Sequence, residues 1–235
     1  KLLPSLIAAG QQATADGTPL VARCDLFWPQ HAEAASNLQY LFLNETLVAP
    51  IYDATHNLTT RPVWIPPGRW QDAWNGSVVT GPASLSVTLP YERVPMWHKA
   101  DGGLVLALDR PAMRVAEQDW STITLHAFPA LHAAQTTRKT LHERGGAART
   151  RLAMQTFGDG RTVRLQISHR EFALADSPDS DARGWRLRLQ LPPTANAATA
   201  TIDGVAAAPA LLLPSMGVAT PFASTGARPA AGGAA

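Results

Sequence analysis

Cysteine occurs once in the 235 residues, at Cys24, so the chain cannot close a disulfide on itself and says little about its redox compartment. Charge is scarce as well. Asp, Glu, Lys and Arg make up 16% of the residues and leave a formal net charge of only +2. So small a balance gives no electrostatic basis for nucleic acid or an anionic membrane as partner. No apolar run approaches the ~20 residues of a membrane span. A signal-peptide pattern is absent too, and the chain starts at Lys1 rather than at a methionine, which reads as a processed or partial chain. What the chain has in quantity is Ala, Gly and Pro, with 17 glycines and 19 prolines. That composition suits a loop-rich β protein better than a helical bundle, and the length allows one or two domains with a proper core.

The hydrophobic pattern divides the chain. Leu2, Leu3, Leu6, Ile7 and Ala13 recur at helical spacing, with Pro4 tolerable in a first turn and Gly17 placed to stop the helix. Pro19-Leu20-Val21-Ala22-Arg23 reads as a buried strand. A short helical signal follows over residues 37–43, then strand-length apolar runs at 46–51, 60–65, 84–89, 94–97 and 104–108, each bounded by Pro, Gly, Asn or Asp. That rhythm predicts a β-sandwich. Within it, Trp64-Ile65-Pro66-Pro67-Gly68-Arg69-Trp70 carries two prolines and a glycine, which predict a turn between strands. Residues 109–119 read as a linker. Beyond them, runs at 121–128, 150–157, 162–168, 184–191 and 199–202, with hairpin signals at Gly158-Asp159-Gly160 and Asp203-Gly204, predict a second, smaller β-sandwich. Residues 214–235 hold too few large apolar groups to offset ordering entropy and read as a tail or extended strap.

Four blocks stand in one order: Gln39-Tyr40-Leu41-Phe42; Leu47-Val48-Ala49-Pro50-Ile51; Ile65-Pro66-Pro67-Gly68-Arg69-Trp70 with Asp72, Trp74 and Gly76; and Tyr91-Glu92-Arg93-Val94-Pro95-Met96. Together they resemble glycoside hydrolase family 31, the α-glucosidase and α-xylosidase family, in the part that follows its catalytic barrel. The resemblance is specific from Lys1 to about Leu108. It implies that residues 1–36 are the last helix and strand of a (β/α)8 barrel, 37–108 a proximal sandwich and 109–213 a distal one. By themselves, residues 1–36 offer one helix and one strand of parallel type, whose apolar faces lack cover. The chain departs from the family at Cys24-Asp25, where Pro-Leu is usual, and at Leu43-Asn44, where Gly and a small or acidic residue are usual. His98-Lys99-Ala100-Asp101-Gly102-Gly103 replaces the family's Arg-Ala-Gly with a longer turn.

The resemblance also implies a retaining α-glycosidase, most simply one that releases terminal α-linked glucose. In such an enzyme two carboxyl groups face each other across the scissile bond. The family's nucleophile lies in Trp-x-Asp-Met-Asn-Glu, which this chain lacks. Trp70-Gln71-Asp72 mimics its opening but continues Ala73-Trp74, so Asp72 is expected to be structural. No catalytic, cofactor or metal residue is therefore assigned. His31, His56, His98 and His126 have no ligand spacing, and Asp16, Asp25 and Glu33 read as turn or cap residues near a barrel mouth. Trp64, Trp70 and Trp74 are expected to pack a sandwich edge, while Trp28 stays open between core and sugar site. Arg138, Lys139, Arg144, Arg149 and Arg151 form a basic cluster without interleaved aromatics and read as a solvated face. Three Asn-x-Ser/Thr sequons, at Asn44, Asn57 and Asn75, suggest N-glycosylation and a secreted or lumenal protein.

The expected partners are the catalytic barrel, on the same or a companion chain, and an α-linked oligosaccharide. Two rivals are a structural module in a larger assembly and a carbohydrate-binding module, which would need exposed, coplanar tryptophans.

Overall fold

Pro4 lies in the first turn of the only α-helix among the described residues, α1 (Leu3–Asp16), where its missing N–H costs nothing. The helix ends at Gly17, whose φ of 79° suits glycine and whose N–H reaches Ala13 O at 2.9 Å. The computed structural model describes residues 1–50, 58–90, 92–110, 112–130, 132–142, 149–159, 161–168, 184–190, 201–202, 205–206 and 218–222. The remainder is mostly β-sheet.

The first unit is a six-stranded sheet. In chain order its strands are β1 (Val21–Ala22), β2 (Tyr40–Phe42), β3 (Thr46–Val48), β4 (Leu58–Asp72), β5 (Val78–Pro90) and β6 (Met96–Lys99). They lie in the order β1-β2-β3-β6-β4-β5, and every pair is antiparallel. Two expectations change here. The helical signal over residues 37–43 is overruled, because Tyr40, Leu41 and Phe42 pair with Val48, Leu47 and Thr46. Its helical spacing came from too few apolar residues to outweigh a ladder. The strand expected at 19–23 is short, and it pairs antiparallel with β2, leaving Val21 54% exposed.

Pro66-Pro67-Gly68 does not turn the chain. β4 runs straight on through these residues, and its pairing with β5 shifts register between Ile65 and Gly68. Prolines donate no ladder bond, so the sheet absorbs them as an irregularity instead of a hairpin. Trp70 fixes it: the indole Nε1 donates to Pro66 O at 2.9 Å. Gly81 faces the same spot, where a Cβ would stand 1.9 Å from Pro66 O. The hairpin itself comes later, between Asp72 and Ser77.

Val63, Trp64, Ile65, Trp70 and Trp97 bury their side chains in one core with Cys24 and Ala34. Gln39 ties the preceding segment to it, acting as a substitute strand. Its Nε2 donates to Trp64 O at 2.7 Å and its Oε1 accepts from Trp64 N at 3.0 Å. The guanidinium of Arg61 donates to Leu38 O at 2.8 Å and also to Pro50 O.

The second unit comprises β7 (Gly103–Leu108), β8 (Thr122–Phe128), β9 (Ala134–His142), β10 (Arg149–Phe157), β11 (Val163–Ile167), β12 (Gly184–Leu189), β13 (Thr201–Ile202), β14 (Val205–Ala206) and β15 (Val218–Phe222). One sheet is β15-β12-β8-β7, with β8 and β12 parallel; a second is β11-β10-β9, and β13 and β14 pair only with each other. Leu104, Leu106, Ile123 and Leu125 from the first meet Leu141, Leu152 and Met154 from the second in one core, which is what a sandwich requires. Residues 104–108, grouped by sequence with the proximal unit, hydrogen-bond to β8, so sheet membership changes between Lys99 and Gly103. Hairpins form as expected between β10 and β11 and between β13 and β14, with residues 203–204 outside the described set. Within 214–235, Val218–Phe222 is an edge strand on β12. β9 gave no apolar signal, since Leu141 is its only large apolar residue, yet it pairs with β10 along nine positions.

α1 leaves its sequence neighbour β1 and packs on this second core through Leu3 and Ile7. Ser5 Oγ donates to Leu106 O at 2.9 Å and accepts from Leu106 N at 2.8 Å.

Candidate functional site

Where α1, the β2–β3 turn, the segment after β6 and β9 converge, they leave a cleft of about 830 Å3. The turn is tight because Leu43 and Asn44 both adopt left-handed backbone, φ 55° and 56°, with Glu45 N reaching Phe42 O at 3.2 Å. This geometry is the reason glycine suits the position, and Leu43 meets it at a steric cost. The turn drives Glu45 inward. Its Oε1 accepts from Lys139 Nζ at 2.5 Å, and both side chains are 16% exposed. Lys99 stands beside them and donates to Asn44 Oδ1 at 3.4 Å.

Burial pushes the Glu45 carboxyl above the usual carboxylate range even though Lys139 and Lys99 oppose the shift. Burial likewise pushes the Lys99 ammonium down, with Glu45 resisting and Lys139 adding to it. One carboxylate against two ammonium groups is an ion-pair clamp between the first sheet and β9. It is not the pair of opposed carboxyls that glycoside cleavage needs. Sequence reasoning missed Glu45 and Lys99, and placed Lys139 on a solvated face. The partners lie 94 residues apart, so no local pattern signals the pairing.

The other residues singled out are spread through the fold. Asp72 is structural: Oδ1 accepts from Trp74 N at 2.7 Å and from Asn75 N at 3.0 Å, closing the β4–β5 hairpin. Asp16 accepts from Thr18 N at 2.9 Å, Asp25 pairs with Arg23, and Glu33 lies exposed in a 3-10 turn. His31 rests against Trp64 with ring centres 5.4 Å apart, and His98 Nδ1 shares a 3.0 Å hydrogen bond with Thr46 Oγ1 while its ring lies on Phe128. His126 sits in β8, and His56 lies outside the described residues. No group of three or more His, Cys, Asp or Glu among the described residues is placed to hold a metal. Trp64 and Trp70 are core, as expected, and Trp28 joins them edge-on at 6.2 and 6.4 Å. Trp74 differs. It is 39% exposed, bonds through Nε1 to Val94 O at 2.7 Å and carries Arg93 over its ring. One exposed indole does not make the coplanar platform of a carbohydrate-binding module. Arg138, Arg149 and Arg151 lie on β9 and β10, and Arg144 is outside the described residues.

Residues 17–103 match the family described as "Glycosyl hydrolase family 31 C-terminal domain". The isomaltosyltransferase of Sporosarcina globispora is 24% identical over 162 residues, covering 67% of this chain and 14% of that protein. A dextranase of Flavobacterium johnsoniae, solved with isomaltotriose, superposes with a TM-score of 0.72 at 18% identity, over 94% of this chain and 30% of its own. The cycloalternan-forming enzyme of Listeria monocytogenes superposes with a TM-score of 0.70 at 19% identity, over 93% of this chain and 21% of its own. This chain therefore spans less than a third of the length of each of these relatives. The two superpositions reproduce the fold just described, and the sequence match falls on the blocks that build β1 to β6. Residues 17–103 are thus similar to the C-terminal domain of glycosyl hydrolase family 31, and the chain shares its fold with the solved dextranase and cycloalternan-forming enzyme.

Proposed function

We propose that this chain is the C-terminal scaffold of a retaining α-glycosidase that removes terminal α-linked glucose from an oligosaccharide, the reaction being carried by an adjoining (β/α) barrel. On this reading residues 1–36 close the barrel, the proximal sandwich ends at Lys99, and the distal unit starts at Gly103 and takes in the edge strand Val218–Phe222. The observation that carries it is the family match over 17–103. The surface lends support. Leu2, Val21, Leu26 and Leu38 are 36–58% exposed, all within the first 38 residues. Covering each with a companion barrel would contribute on the order of 1 kcal/mol. The scaffold's role is then to hold the final barrel segments in place so that paired carboxyls elsewhere keep their separation. Three sequons support a secreted or lumenal location.

A second reading, transfer of a glycosyl group to another sugar instead of water, is favoured by the isomaltosyltransferase among the relatives. Both are tested by assaying the polypeptide that bears this chain together with its barrel against maltose and isomaltose. The expected result is release of glucose in the α configuration and no turnover by this chain alone. Longer oligosaccharides as the main product would select transfer. Undiminished activity of a barrel lacking these 235 residues would overturn the scaffold role.

A further inference from the structure

The sequons at Asn44 and Asn75 are equivalent as motifs but sit in opposite environments, and Asn57 lies outside the described residues. Asn75 occupies the tip of the β4–β5 hairpin and is exposed. The hairpin is well closed beneath it: Asp72 N donates to Ser77 O at 2.8 Å, Gly76 N to Asp72 O at 3.0 Å, and the Asp72 carboxylate takes the amides of Trp74 and Asn75. Asn75 Oδ1 accepts from Ser77 N at 2.8 Å, which orients the carboxamide and leaves its Nδ2 end outside that bond. Ser77, the hydroxyl residue of the sequon, is exposed as well.

Asn44 is the reverse case. It lines the cleft, its backbone is left-handed and its Oδ1 accepts from Lys99. The middle residue of its sequon, Glu45, is buried against Lys139, and the hydroxyl of Thr46 is 8% exposed and bonded to His98. A sugar on Asn44 would have to stand in the cleft beside Lys99, next to the Glu45–Lys139 pair.

We propose that Asn75 is a glycan acceptor of this protein and that Asn44 is not. In the transfer step Asn75 Nδ2 attacks the anomeric carbon of an oligosaccharide held on a lipid pyrophosphate. The N–C bond forms, the C–O bond to pyrophosphate breaks, an Nδ2 proton passes to a base of the transferase, and the lipid pyrophosphate leaves. The proposal goes beyond the glycosidase reading and does not depend on it.

The test is secretion of the polypeptide bearing this chain from a yeast host, followed by enzymatic deglycosylation in heavy-oxygen water and peptide mapping. That treatment converts each formerly glycosylated asparagine into a heavy aspartate. Heavy aspartate at position 75, none at 44, loss of the position-75 label in Ser77→Ala and its retention in Ser77→Thr are the expected results. An unlabelled Asn75 beside a labelled control sequon on a reporter from the same host would overturn the proposal, as would label at Asn44 in the folded, secreted product. Activity of the enzyme enters neither outcome, so failure here is distinct from failure of the functional reading.

Discussion

At the scale of single residues the most exacting position is Gly81. Its missing Cβ lets β5 approach Ile65 O and Pro66 O, which would stand 2.6 and 1.9 Å from that atom. Both obstacles are backbone, so neither can swing aside. Gly81→Ala is expected to destabilise the fold by about 1–3 kcal/mol, read as a lower urea midpoint, whereas Gly10→Ala, inside α1 with nothing within 4 Å, is expected to hold or raise the midpoint. A wild-type midpoint for Gly81→Ala would refute the close-approach account. His126 makes the second residue-scale prediction. Burial first, then the charges of Arg188, His98 and Lys1, lower its pKa from 6.5 to about 4. The unfolded chain binds the proton near 6.5 and the folded chain resists it, so stability is whole above pH 6.5 and falls as pH drops towards 4. The loss amounts to about 3 kcal/mol from this group. His98 is shifted the same way by its burial and adds to the slope. Urea titrations at pH 7 and pH 4.5 should show the decline, and His126→Asn should flatten it; equal slopes in the two proteins would sink the assignment.

Between elements, two side chains do the work of strands. Gln39 gives and takes a hydrogen bond at Trp64, so β4 has a partner there on the edge away from β5. Gln39→Leu leaves both backbone groups of Trp64 buried and unpaired, and is expected to cost about 2–4 kcal/mol. Ser5 does the same for α1 by engaging both backbone groups of Leu106. Ser5→Ala should loosen the helix without unfolding the sheets, seen as faster amide hydrogen exchange in α1 against unchanged exchange in β8. Much at this level was legible beforehand. The helix and its Gly17 stop, β7, β8, β10, β11 and β12 follow from period and punctuation. What was not legible has particular reasons. The segment 37–43 looked helical because Leu38 and Leu41 are spaced by three, and only the β3 ladder decides otherwise. Pro66-Pro67 looked like a turn because prolines usually punctuate, whereas Trp70 and Gly81 here stabilise an irregular strand. β9 was invisible because its residues are polar and its stability comes from β10.

For the molecule as a whole, the Glu45–Lys139 pair joins the first sheet to the second unit across 94 residues. Removing one partner strands a buried charge. Lys139→Met is expected to cost about 2 kcal/mol, with Lys99 taking over part of the role, and Glu45→Gln added to it should restore some of the loss. A double-mutant cycle with no coupling would show that the clamp is incidental. Because burial raises the Glu45 pKa, its own contribution is fully present below the ordinary carboxylate value and is lost as pH rises through the raised one.

The sequence by itself determined the β class, the Gly17 helix stop, the hairpin at Gly158-Asp159, and, through blocks such as Ile65-Pro66-Pro67-Gly68-Arg69-Trp70, the resemblance to the family. These are local properties: periodicity, backbone preference and short motifs act within a few residues of one another. Only the tertiary structure decided that α1 packs with the distal core, that β7 crosses to the second sheet, that Trp28 packs half-buried against the first core, and that of two like sequons one lies at a hairpin tip and the other in a charged cleft. Each of these depends on which distant residues share one dielectric environment or one ladder, and no window along the chain contains both members of such a pair.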